Sequence, residues 1–208
     1  MMKGRALILV VIFILVAVLS GCAGSRTYLI DVRYIPTEQG PPASKPETAY
    51  VVGICPFDDA RKERVKDTIG IRQRTRNEVD FLKAAGITVA DSVTRAVKEY
   101  FKEKGFEVTD CKGWDGSPEG LANLPNDLSL VVAGSIESFM VDARSGIATT
   151  ETQYRLKMAV SIGHVADRKV VIRTIDSAPQ TKKMTFDPGQ VAAYLNQTLT
   201  EAIRNLFK

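Results

Sequence analysis

The stretch TVADSVTRAVKEYFKEKGFEVT, residues 88–109, decides the fold. Thr88 followed three residues later by Asp91 has the spacing of a capping box, in which side chains satisfy the free N–H groups of a first helical turn. Val89, Val93, Ala96, Val97, Tyr100 and Phe101 then recur at helical spacing, and Gly105 stands where a helix ends on a left-handed residue. Directly after it, Phe106-Glu107-Val108-Thr109 changes period and reads as a strand that closes near Cys111.

Upstream, Tyr50-Val51-Val52-Gly53-Ile54-Cys55 is β-branched and aromatic and stops at Pro56, so it reads as a buried strand. Strand, helix and strand make a β-α-β unit if the two strands run parallel. Between this strand and the helix, residues 57–80 are charged and lack apolar periodicity. They read as a long loop, with room for a short strand near Ile69–Arg72.

Downstream, residues 112–127 form a Gly/Pro-rich loop around Trp114. Three longer strands follow. The first spans Leu130–Val141, with both faces buried at its start and one face later. The second has Tyr154, Leu156, Met158, Val160 and Ile162 on one side, and the third runs from about Lys169 to Asp176. Short connections at Arg144-Ser145-Gly146 and Ala166-Asp167-Arg168 make them antiparallel neighbours. A last helix is capped by Asp187, opens with Pro188, and has Val191, Leu195, Leu199, Ala202, Ile203 and Leu206 on one face. The expected class is α+β: a two-layer sandwich, two helices on one face of a mixed sheet of about five strands.

The N-terminus carries an address. Lys3 and Arg5 precede an apolar run from Ala6 to Leu19, then Ser20, Gly21 and Cys22. A basic start, a short apolar run and small residues at a cut site are the parts of an export signal. The run is shorter than the roughly 20 residues a membrane-crossing helix needs. Leu19-Ser20-Gly21-Cys22 matches a lipobox, whose cysteine thiol becomes a thioether to diacylglycerol. Residues 1–21 are thus expected to be a lipoprotein signal peptide, and Cys22 the site of lipid attachment, bearing diacylglycerol and an acyl chain such as palmitate. Ala23, in place of the Asp that retains enteric lipoproteins in the inner membrane, points to the outer membrane. Residues 22–47, with Pro36, Pro41, Pro42 and Pro46, are expected to be an anchored tether in which Thr27–Tyr34 has the alternation of an added strand. Residues 48–208 would be one domain facing the periplasm.

Of three cysteines, Cys55 and Cys111 remain as an even pair in an oxidising compartment. They are either a disulfide or two buried thiols. Adjacent parallel strands put both at one edge and within bridging distance; an intervening strand forbids the bond.

The mature chain carries a net charge of only +2, which is no nucleic-acid signature. Catalytic or metal-binding constellations are not expected. His164 is a lone histidine at a strand end, Asp58-Asp59 points its carboxylates apart, and the cysteines lack zinc spacing. The charge is sorted, however. Arg61, Lys62, Arg64, Lys66, Arg72, Arg74 and Arg76 stand against Glu63 and Asp67, a local +5 and a candidate surface for anionic lipid or an acidic protein face.

The strand ending Val51-Val52-Gly53-Ile54-Cys55-Pro56-Phe57-Asp58-Asp59-Ala60-Arg61, the Thr68-Ile69-Gly70 step and the capped helix leading into Lys104-Gly105-Phe106 resemble the YajG-type lipoproteins. Tyr28-Leu29-Ile30-Asp31-Val32-Arg33-Tyr34 is similar to the start of auxiliary lipoproteins of ABC-type lipid transporters, and the strand-helix order is similar to peptidoglycan-synthase activators. These resemblances imply a compact periplasmic α/β domain without catalysis and carry over no specific activity. The expected function is a non-enzymatic outer-membrane lipoprotein, a binding or accessory component of the envelope with no cofactor. Its partners would be the membrane, through the anchor, and an envelope protein or anionic lipid. The alternatives are an accessory of an ABC-type lipid transport system or an envelope hydrolase assembled from scattered acids.

Overall fold

The computed structural model describes residues 24–36, 50–74 and 78–208. Chain order runs β1 (Thr27–Ile30), β2 (Val51–Ile54), β3 (Asp58–Asp59), β4 (Thr68–Gln73), β5 (Val79–Ala84), α1 (Val89–Glu103) and β6 (Glu107–Asp110). After a 3-10 turn at Gly120–Asn123 come β7 (Leu130–Ser145), β8 (Thr150–His164), β9 (Lys169–Ser177), β10 (Gln180–Lys183) and α2 (Pro188–Leu206).

The helices start and stop as their sequences dictate. Thr88 Oγ1 accepts the Asp91 N–H at 3.1 Å, and Gly105 takes φ +85°, a left-handed conformation that costs glycine nothing. Asp187 Oδ1 caps α2 by accepting the Gly189 N–H at 2.8 Å. α1 packs against β2, β3 and β6, and α2 against β1, β8 and β9. Both apolar helix faces join one core with Val52, Ile54, Val132, Ile136, Phe139, Val141, Leu156, Met158 and Val160 of the sheet.

That sheet is twice as large as the sequence reading expects: a curled, mixed sheet of ten strands among the described residues. β8 covers one edge of β7 along nearly its whole length. The other edge of β7 is shared end to end by β2, β3 and β4, all parallel to it. Two branches leave from there, β2–β6 and β4–β5–β1. β7 can serve both because a bulge between Ile136 and Ser138 changes the parity of its inward side chains, from Val132 and Ile136 to Phe139, Val141 and Ala143.

Two corrections concern the N-terminal third. Residues 57–80 are not a long loop: they supply β3, β4 and the start of β5. The alternation there was masked by charge, because the inward residues of β5 are Asp80, Leu82 and Ala84, and Asp80 is wholly buried. Nor do residues 27–35 stand outside the domain. β1 pairs in parallel with β5, Thr27 opposite Phe81 to Ile30 opposite Ala84, and Ile30, Val32 and Tyr34 are core residues. Side chains of α2 seal this segment: Asn196 Oδ1 accepts the Arg33 N–H, and Thr200 Oγ1 accepts the Ile35 N–H. Pro41, Pro42 and Pro46, which follow β1 in sequence, lie outside the described residues.

β2 and β6 are parallel neighbours, Val51 opposite Glu107 to Ile54 opposite Asp110. Just beyond them, Cys55 and Cys111 form a disulfide with their Cα atoms 4.4 Å apart. It lies on the sheet face turned away from the helices, in a small second core with Trp114, Leu121 and Val131. The Gly/Pro-rich loop folds over this face, so part of the sheet is covered on both sides.

Candidate functional site

The inward face of β8 reads Thr150, Thr152, Tyr154, Leu156, Met158, Val160. The last three and the Tyr154 ring belong to the core; the first three change the same face from apolar to hydroxyl-bearing. β10 pairs beside them in the same sheet, and the first turns of α2 join both in lining a cleft of about 220 Å³. Thr181, Phe186 and Tyr194 complete its walls, with Lys183 and Asp187 as its charged groups.

Its hydroxyls are held from behind. Thr150 Oγ1 and Ser145 Oγ are 2.9 Å apart, and Ser145 Oγ accepts the Arg72 Nε–H at 2.9 Å. The Arg72 guanidinium pairs with buried Asp80 at 3.5 Å and lies 4.3 Å from the centre of the Phe186 ring, a cation–π arrangement. A polar chain thus runs from Asp80 through Arg72 and Ser145 to the cleft wall. The Tyr154 and Tyr194 rings lie 4.7 Å apart, and burial pushes the Tyr154 hydroxyl above its ordinary pKa against the opposing hydrogen bond with Thr181. Such a wall of hydroxyls and aromatic faces suits uncharged polar groups by hydrogen bonding and stacking. The sequence signal was present: Thr150 and Thr152 keep in phase with Tyr154 and Leu156, two residues apart on one strand.

The seven basic residues singled out in the sequence do not form one patch. Arg61 is buried, and all five of its N–H donors are used. Nε and Nη2 donate to Asp59 Oδ1 and Oδ2 at 2.9 and 2.8 Å, and the others reach the carbonyls of Thr68, Phe139 and Lys66. Burial alone would raise the Asp59 pKa, but the Arg61 hydrogen bonds and charge, helped by Lys66, outweigh it and hold the carboxyl below its usual range. Lys66 Nζ also donates to the carbonyls of Asp59 and Arg61. Arg74 pairs with Glu78 and Asp80, both at 3.2 Å. Charge that looked solvated is thus largely internal, because the strands bring buried carboxylates to it. Lys62 and Arg64 are exposed, and Arg76, like Cys22, lies outside the described residues.

Asp58 and Asp59 point apart: Asp58 is exposed while Asp59 clamps Arg61. His164 is exposed at the far end of β8 from Thr150. There it lines a wider, more apolar cleft of about 730 Å³ with Tyr50, Phe106 and Leu128. Among the described residues, no three His, Cys, Asp or Glu side chains are grouped so as to hold a metal ion.

No family model matches the chain, and no curated protein matches it. Among solved structures it is similar to protein XCC0632 from Xanthomonas campestris, of family model DUF330. That likeness is 17% identical, covers 87% of this chain and 92% of the other, and has a TM-score of 0.53. Weaker likenesses include the PelC dodecamer from Paraburkholderia phytofirmans (12% identity, 76% and 92% coverage, TM-score 0.39). Another is lipoprotein GNA1162 from Neisseria meningitidis (10% identity, 75% and 99% coverage, TM-score 0.39). The first likeness is one of fold. Among the described residues, no helix is long and apolar enough to cross a membrane.

Proposed function

We propose that this chain is a lipid-anchored protein of the bacterial outer membrane that faces the periplasm and works by binding rather than by catalysis. The carrying observation is a pairing of sequence and structure. The lipobox Leu19-Ser20-Gly21-Cys22 precedes a body whose Cys55 and Cys111 are bonded, chemistry that belongs to an oxidising compartment outside the cytoplasm. The hydroxyl-lined cleft supports the binding role, since it holds neutral hydrogen-bonding and stacking groups in fixed positions.

Growth with labelled fatty acid tests the anchor. Wild-type protein should take up label and fractionate with outer membrane, while Cys22→Ser should do neither. Label on the variant, or fractionation of the wild type with the inner membrane, would contradict the reading. Native pull-down with the lipidated protein then separates an envelope binding partner from the alternative of an ABC-type lipid transporter, whose components would be recovered.

A further inference from the structure

The anchor enters the molecule at one identifiable rim. Gly24 is two residues after Cys22, a covalent reach of roughly 7 Å at most. Its carbonyl accepts a hydrogen bond from Arg74 Nη2 at 3.0 Å, and the Arg26 N–H donates to Asp80 Oδ1 at 3.0 Å. Residues 24–26 are therefore fastened to the sheet, and the leash is short.

The strand registers extend this corner into an edge. Thr27 lies opposite Phe81, Val79 opposite Gln73, Gln73 opposite Arg144, Arg144 opposite Glu151, and Glu151 opposite Lys182. Six strands thus end along one side, a row about 24 Å wide at about 4.8 Å per step. The two most exposed large apolar residues described lie on the turns of this row. Ile147, in the β7–β8 turn, has a relative exposure of 104%, and Met184, just after β10, 83%. Thr150 and Lys183, register partners that both line the hydroxyl-bearing cleft, stand at this same end of the sheet.

We propose that this rim is the membrane-contacting face of the protein, with Ile147 and Met184 entering the interfacial layer of the bilayer that holds the lipid anchor. The inference rests on the proposed lipidation of Cys22. Its occupant is that bilayer, because a leash of two residues keeps the rim against the surface. The opposite end, with His164 and the Ala166 turn, faces away. Among the described residues the rim's charge is largely balanced: Arg74 pairs with Glu78, Arg144 with Asp142 and Lys182 with Glu151, while Arg26 and Lys183 stand against Asp187. Contact through apolar tips and a leash is therefore nearly insensitive to salt, whereas contact through a basic patch is screened.

The test places tryptophan at the tips of the full, lipidated protein: Ile147→Trp, Met184→Trp and, at the opposite end, Ala166→Trp. The native Trp114 is buried beside Gly163 near that opposite end and supplies a constant background. Each variant is reconstituted in vesicles of phosphatidylethanolamine and phosphatidylglycerol whose acyl chains carry bromine, a short-range quencher. The expected result is loss of most added emission at 147 and 184, little loss at 166, and the same pattern in high salt. Unquenched 147 and 184 in protein that floats with the vesicles, or quenching at 166, would overturn the proposal. Protein that neither takes up labelled fatty acid nor floats would instead refute lipidation itself.

Discussion

Replacing Arg61 with methionine tests how a body this rich in charge holds together. The side chain is buried, and its five donors satisfy both oxygens of Asp59 and three main-chain carbonyls. The methionine side chain fills similar volume but donates nothing, so Asp59 loses its planar partner and keeps the main-chain N–H of residue 61, 3.2 Å from Oδ1, and Lys66, 3.4 Å away and partly exposed. Removing one member of a buried pair typically costs about 3–5 kcal/mol. That is a large share of the roughly 5–15 kcal/mol that holds a domain folded. Urea unfolding of the mature chain at pH 7, followed by circular dichroism, measures the change. The double variant Asp59→Leu, Arg61→Met should recover much of the loss, since two apolar groups leave no orphaned charge. The pH dependence gives an independent check. A carboxyl held below its ordinary pKa stabilises fully above the unfolded value of about 3.9, and that contribution is lost as pH falls through the lower folded value. Arg61→Met should remove this acid-sensitive component. A single-variant loss below about 1 kcal/mol, the size of a surface ion pair, would refute the reasoning.

Three other outcomes follow from local geometry. Gly70→Ala places a Cβ 1.9 Å from the Val141 carbonyl oxygen, a backbone atom in the next strand. The loss should reach or pass the upper end of the usual overpacking range of about 1–3 kcal/mol; thermal melting within a degree or two of wild type would contradict it. Mass spectrometry of unreduced mature protein should find Cys55 and Cys111 two hydrogens lighter than free thiols. Reduction should destabilise by about 4 kcal/mol for a closure of 56 residues, and free thiols in exported protein would end the argument. Thr88→Ala should cost about 1 kcal/mol by freeing the first turn of α1, read from the shift in urea midpoint at unchanged slope; an unshifted midpoint would mean the cap contributes nothing.

Much of this protein is legible one element at a time. Capping residues and apolar period mark both helices to within a residue or two. The β7–β8–β9 meander follows from alternation and short turns, and the Leu19–Cys22 stretch that matches a lipobox is linear and needs no fold to be read. What escaped is whatever depends on partners distant in sequence. The strands of residues 57–80 look like a solvated loop because Asp80, Arg72 and Arg74 hide the alternation, and only tertiary contact makes their charges internal. Residues 27–35 look like part of a tether until β1 is seen paired with β5, fifty residues on. The hydroxyl-lined cleft is assembled from β8, β10 and α2: the alternation of β8 is legible in the chain, but which segments it meets is not. Local propensity acts over a few residues and is written in the chain; strand pairing and charge burial act through space, and there the folded structure alone decides.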